Sequence, residues 1–251
     1  MTLWFEEAGP EDAPLVVLVH GSMDRSAGLL KLSRRLDTTT RVLRYDRRGY
    51  GRSAPHDGPF AMGEQVADLV GLLDGRLAVV FGHSYGGNIA LALADRHPQL
   101  VRAVGVYESP LSWLDWWPGS TAGADALATR GDPAEAAERF MRRMIGDERW
   151  HRLPESTRRA RRVEGVAMVG ELVDLRSHAP WDPSHVKVPV VAIHGTLGAA
   201  HHAESTRYLG RVLPDCRVVD IDGARHFGPN THPDAVAAEV TALLTRAAPT
   251  P

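Results

Sequence analysis

The chain of 251 residues has a single cysteine, Cys216, so it can close no disulfide within itself. It has no block of lysines and no nucleic-acid motif, and its formal net charge is −2, which leaves a DNA or RNA partner without electrostatic footing. No apolar run is long enough to span a bilayer, and Met1-Thr2-Leu3-Trp4-Phe5-Glu6-Glu7 lacks a basic stretch followed by an apolar one. A cytoplasmic, soluble chain with no membrane partner is expected. Internal repeats and low-complexity linkers are also absent, so the length reads as one large domain with an insert.

What the chain has instead is alternation. Short apolar runs at 15–20, 41–45, 77–83, 101–107, 188–194 and 216–221 are separated by amphipathic stretches. That is the pattern of an α/β fold with a mainly parallel sheet covered by helices on both faces. A weaker antiparallel edge pair is expected between residues 2 and 8, and an apolar fraction of 43% is ample for a buried core. One helix carries Val66, Leu69, Val70 and Leu73 on one face and ends at Gly75, where a left-handed cap is easiest.

Between Pro110 and Val186 the alternation stops. Asp132-Pro133-Ala134-Glu135 reads as an N-cap, a proline at the first helical position and a capping-box acid. Phe140, Met141, Met144 and Ile145 follow on one stripe, and Gly146 ends it. A second helix is expected to run from Pro154 towards Leu175, with the arginines of 158–162 on a solvated outer face. The organisation expected is a core built from residues 1–110 and 186–251, a helical cap insert at 111–185, and a frayed tail at Ala-Ala-Pro-Thr-Pro.

The chemistry centres on Gly82-His83-Ser84-Tyr85-Gly86, placed after an apolar run and before the helix-like Gly87–Ala94. A serine in a tight strand-to-helix turn is exposed at the end of a sheet, and small residues flank it because the backbone passes too closely for a Cβ. Ser84 is the candidate nucleophile. A serine hydroxyl is weak at neutral pH and needs a base, an orienting acid and donors for the oxyanion. His226, on the loop after the strand-like 216–221, can supply the base. Leu15–Val19 runs into His20-Gly21-Ser22-Met23, and the N–H groups of Ser22 and Tyr85 are the candidate oxyanion hole.

Taken together, His20-Gly21, Asp46-Arg47-Arg48-Gly49-Tyr50-Gly51-Arg52-Ser53, Gly82-His83-Ser84-Tyr85-Gly86 and Gly223-Ala224-Arg225-His226-Phe227 resemble an α/β-hydrolase in order and spacing. The resemblance covers nearly the whole chain outside the insert. It implies the α/β-hydrolase fold and a Ser–acid–His triad. Family members most often place the acid a few residues past a His-Gly pair, but here His194-Gly195 leads into Thr196-Leu197-Gly198-Ala199-Ala200, with no carboxylate before Glu204. Glu108, ending the run Val101–Tyr107 before Ser109-Pro110, is the candidate acid. The zearalenone lactonases are similar in placing a glutamate there.

Other polar residues have plainer readings. Asp222 braces its loop, His20 and His83 support the site structurally, and Asp46 through Ser53 shapes a turn. His194, His201 and His202 lack zinc-site spacing, so no metal and no cofactor are assigned. The insert holds five of the six tryptophans, whose rings either anchor it to the core or line a pocket. Trp113, Trp116 and Trp117, a few residues after Glu108, are candidate substrate contacts together with Met23, which favours an apolar small-molecule substrate. The leading reading is a serine hydrolase cleaving an ester or lactone through an acyl-enzyme on Ser84. A carbon–carbon hydrolase, a thioesterase, a cofactor-free perhydrolase and a non-catalytic ligand sensor are alternatives on the same fold. Oligomeric state is open.

Overall fold

A computed structural model of the chain describes residues 3–247. Residues 1–2 and 248–251, which hold the expected ends of the core and most of the expected frayed tail, lie outside the described residues. The strands are β1 (Phe5–Ala8), β2 (Leu15–Val19), β3 (Arg41–Tyr45), β4 (Ala78–His83), β5 (Val101–Tyr107), β6 (Val190–Gly195) and β7 (Cys216–Ile221). They form one sheet in the order β1-β3-β2-β4-β5-β6-β7, parallel except for β1. Continuous apolar strands such as Leu-Val-Val-Leu-Val of β2 must be covered on both faces, and β2 and β4 accordingly sit inside the sheet with every residue buried. The expected edge pair at 2–8 is instead one strand, β1, whose partner is β3 (Phe5 opposite Tyr45). Half-exposed and carrying two glutamates, β1 suits an edge.

The helices are α1 (Leu30–Leu36), α2 (Met62–Leu73), α3 (Tyr85–Arg96), α4 (Ala122–Leu127), α5 (Pro133–Ile145), α6 (Asp147–Arg152), α7 (Glu155–Val163), α8 (Gly165–Ser177), α9 (Ala200–Val212), α10 (Gly228–Thr231) and α11 (Pro233–Arg246). On one face, Leu32 and Leu36 of α1 and Val236 and Val240 of α11 pack with Val16, Leu18, Val79 and Phe81. On the other, Val66 and Leu69 of α2, Ile89 of α3 and Leu209 of α9 pack with Val17, Val80, Val104 and Val190. The left-handed cap of α2 falls on Asp74 (φ +48°), one residue before the expected Gly75.

Between β5 and β6 the chain forms α4 to α8 and no strand. Asp132 caps α5 as its sequence implies, accepting from the Ala134 and Glu135 N–H groups at 3.1 Å. The single helix expected from Pro154 to Leu175 is broken at Glu164, between α7 and α8. The buried Glu164 carboxylate takes ion pairs from Arg25 at 2.7 Å and Arg161 at 2.9 Å and the Gly51 N–H at 2.9 Å, so the break sits on a polar anchor to the core. Phe140, Met141, Trp150, Met168 and Leu172 give the insert an apolar cluster that includes Met23, Tyr50 and Phe60 from the core. The insert's far end is tied to α3 through Trp181, whose Nε1 donates to Asn88 Oδ1 at 3.0 Å. Among the described residues no helix is long and apolar enough to cross a membrane.

Candidate active site

Ser84, Glu108 and His226 all follow the carboxyl ends of strands, after β4, β5 and β7, where an open α/β sheet gathers its ligands. Ser84 holds φ +53° and ψ −123°, a conformation L residues rarely adopt, fixed by its N–H bond to Tyr107 O at 2.8 Å. The turn is tight. A Cβ on Gly82 would lie 2.2 Å from Gly86 O, and one on Gly86 would lie 2.3 Å from Val19 O, so neither position admits a side chain. The Ser22 N–H has no backbone acceptor among the described residues, and the Tyr85 N–H opens α3, where no intrahelical acceptor exists. Both donors therefore remain available beside the serine.

Glu108 is fully buried, with φ +48°. Its two oxygens have separate partners: Oε1 accepts from the Gly195 N–H at 3.0 Å, and Oε2 lies 2.7 Å from His226 Nδ1. The missing acid of the loop between β6 and α9 is thus matched by space. A Cβ on Gly198 would stand 2.5 Å from Glu108 Oε1, so this glycine leaves room for a carboxylate arriving from β5. Asp222 accepts from Thr196 Oγ1 at 3.2 Å, and Glu204 pairs with Arg211 at 2.8 Å; among the described residues neither bonds His226. With Nδ1 occupied, His226 has Nε2 left for the cleft. Ser84 and His226 line the same cleft, though no direct hydrogen bond joins them among the described residues.

Three further histidines surround this group, and burial keeps each neutral. His83 is pushed down to about 3, and His20 and His202 lie well below the ordinary imidazole value. His20 Nδ1 bonds Gly21 O at 2.8 Å while its Nε2 accepts from the Arg47 N–H at 2.9 Å, which fixes the tautomer and pins the turn before Ser22. His83 does more than pack beneath the turn: its Nε2 donates to His226 O at 2.8 Å. Tyr107 OH donates to the neighbouring carbonyl, Arg225 O, at 2.8 Å. The backbone of the histidine loop is therefore held by side chains that immediately precede Ser84 and Glu108, a role for Tyr107 that sequence reasoning missed. His202 stacks on His226 with ring centres 4.7 Å apart. Glu108, His202 and His226 place ligand atoms within 4.8 Å of one another, the one grouping among the described residues that could hold a metal ion.

The cleft has two lobes that share Ser22, Ser84, Phe140, Met144, His226 and Phe227. The first, about 410 Å³, runs under Trp117, Leu172 and Leu175; the second, about 320 Å³, runs past Met23, Met141 and Ile145. Of the candidate contacts, Trp117 and Met23 reach the cleft. Trp113 packs edge-on against Trp181, and Trp116 is partly exposed beside Trp117 and Tyr208; neither lines either lobe. The segment Asp46–Ser53 also exceeds its expected turn-forming role. Arg47, fully buried, bonds Glu171 of α8 at 2.7 Å and the carbonyls of His20 and Gly21 at 3.0 and 3.1 Å.

The model of the alpha/beta hydrolase family matches residues 16–239. The chain belongs to the alpha/beta hydrolase family. It is 28% identical to rhodomycin D methylesterase of Streptomyces peucetius, the alignment covering 99% of this chain and 96% of that one. Identity to the pimeloyl-[acyl-carrier protein] methyl ester esterase of Neisseria meningitidis is 30%, over 91% of this chain and 93% of the other. Among solved structures, the enol-lactonase from Burkholderia xenovorans LB400 superposes with a TM-score of 0.75 at 26% identity, covering 97% and 96% of the two chains.

Proposed function

We propose that this alpha/beta hydrolase cleaves a carboxylic ester of a small organic molecule through an acyl-enzyme on Ser84. The observation that carries the reading is the 2.7 Å bond between Glu108 and His226 in the cleft that Ser84 lines. Ser84 Oγ attacks the ester carbonyl as His226 Nε2 takes its proton. The buried Glu108 carboxylate holds the Nδ1–H tautomer and stabilises the imidazolium that forms. The oxyanion accepts from the Ser22 and Tyr85 N–H groups, and His226 returns the proton to the departing alkoxide. Water, deprotonated by the same histidine, then releases the acid. His226 is assigned the proton because its Nδ1 is held by the Glu108 carboxylate while its Nε2 is left for the cleft. An ester is favoured because the relatives include two methyl ester-cleaving enzymes aligned over nine-tenths or more of this chain. A lactone fits the same chemistry, the alcohol then staying tethered to the acyl group, and the enol-lactonase supports it.

The apolar lining by Phe140, Met144, Leu172 and Leu175 favours a substrate with a hydrophobic body. The test is hydrolysis of p-nitrophenyl acetate, butyrate and octanoate by wild type and Ser84→Ala. Turnover by wild type alone is the expected result, and equal turnover by both proteins rejects Ser84 as the nucleophile.

A further inference from the structure

The first lobe of the cleft has a charge pattern that ester cleavage does not require. Arg143 of α5, Arg176 of α8 and Arg225 of the histidine loop line it, and no aspartate or glutamate does. Of the two arginines that line the second lobe, Arg161 pairs with Glu164, whereas the exposed Arg149 forms no ion pair among the described residues; deeper in the fold, Arg25 also pairs with Glu164 and Arg47 with Glu171. Among the described residues the three lobe arginines form no ion pair. Their hydrogen bonds go to backbone carbonyls, Arg143 to Ser120 O at 3.0 Å, Arg176 to Leu172 O at 3.2 Å and Arg225 to Leu197 O at 3.2 Å.

Arg176 stands out because it is half-buried, whereas Arg143 and Arg225 are exposed. Burial lowers its pKa and no carboxylate offsets this, yet a guanidinium remains charged in proteins. Only Nη1 has a partner, leaving Nε and Nη2, the fork that meets a carboxylate side-on. Two other lining residues each hold one unpartnered donor: Ser112 Oγ and Trp117 Nε1 are buried without a hydrogen-bond partner, and an indole N–H can only donate. The lobe therefore holds unpartnered donors and no carboxylate, with a charged donor partly out of water beside an apolar wall.

We propose that the first lobe binds a carboxylate carried by the substrate, with Arg176 as its charged partner, so that the substrate class is a monoester with an apolar body and an anionic end. The proposal rests on the ester-hydrolase reading of the cleft. One half-buried guanidinium balances a single charge, which fits a carboxylate better than a doubly charged phosphate. Arg143 and Arg225, at the exposed part of the lobe, add attraction without fixing geometry. Arg176 acts on binding rather than on the reacting atoms.

The test is a matched series: monomethyl esters of the linear diacids from succinate to suberate, against neutral methyl alkanoates of equal length. At the best-fitting length, wild type should favour the anionic ester by about tenfold or more in kcat/KM, mainly through KM, as expected for a hydrogen bond between charged groups. In Arg176→Gln this preference should fall towards unity, and Arg176→Lys should keep part of it. Equal rates at every length, or an Arg176→Gln protein that keeps the wild-type preference, overturns the proposal and leaves the ester reading standing. If wild type cleaves none of the series, calorimetry decides instead, with adipate titrated into Ser84→Ala and into Ser84→Ala/Arg176→Gln. Binding lost with Arg176 supports the carboxylate site; no binding, or equal binding by both, overturns it.

Discussion

Glu108 combines a left-handed backbone, complete burial and two separately assigned oxygens. Each feature costs free energy unless its neighbours are fixed, and the Gly195 N–H and His226 Nδ1 fix them. Gly198 is the neighbour whose added Cβ would press on the carboxylate itself. An added Cβ would meet Glu108 Oε1 at 2.5 Å and Gly195 O at 3.0 Å, so the carboxylate, held from the other side, must shift. Gly198→Ala is expected to fold with little change in melting temperature yet lose about ten- to a hundredfold in kcat, since small misplacements in a catalytic array are costly. Steady-state kinetics beside a thermal melt separate the two effects, and a Gly198→Ala enzyme within about twofold of wild type would mean that the position of the carboxylate is not so constrained. Glu108 could be singled out in the sequence because it ends an apolar run and the usual acid loop contains none. Tyr107 could not, because an alternating strand gives no sign of which hydroxyl will reach a loop 118 residues away.

At the scale of elements, the strands were legible within a residue or two at most ends, since five-residue runs of Val, Leu and Ile bury well only inside a parallel sheet. The insert was read less well. The residues of α7 and α8 look like one periodic stretch, and the interruption at Glu164 depends on Arg25 and Gly51, more than a hundred residues earlier. The Arg47–Glu171 pair was equally hidden. It joins α8 to the turn before Ser22, with Tyr50 OH also donating to Glu171 at 2.6 Å. Removing one member of a buried pair strands the other charge, at a typical cost of about 3–5 kcal/mol, whereas replacing both can be nearly neutral. Arg47→Met and Glu171→Met should each unfold at markedly lower denaturant, and the double variant should lie closer to wild type than either. Single variants within about 1 kcal/mol of wild type would show that the pair does not latch the insert to the core.

Across the whole molecule, buried neutral histidines couple stability to pH. His20, His83 and His202 have folded-state pKa values below the unfolded value, so the unfolded chain takes up protons first as the pH falls. Stability from these groups is present above the unfolded value, near 6.5, and is lost as the pH drops towards their folded values, about 3 for His83. Each contributes a slope of up to about 1.4 kcal/mol per pH unit in that window. Denaturant melts at pH 7.5, 6.5 and 5.5 should show falling stability, with a shallower fall in His83→Gln; a flat profile would contradict neutral burial. The same compact setting brings the ends of β4, β5 and β7 together, and the assignment of Ser84, Glu108 and His226 as one catalytic unit is tested most directly by the rate of fluorophosphonate labelling, with the modified peptide identified by mass spectrometry. Wild type should carry the adduct on Ser84 alone, and Glu108→Gln should label there slower by about three to four orders of magnitude while still folding. An adduct on another residue, or labelling of Glu108→Gln at the wild-type rate, would contradict it.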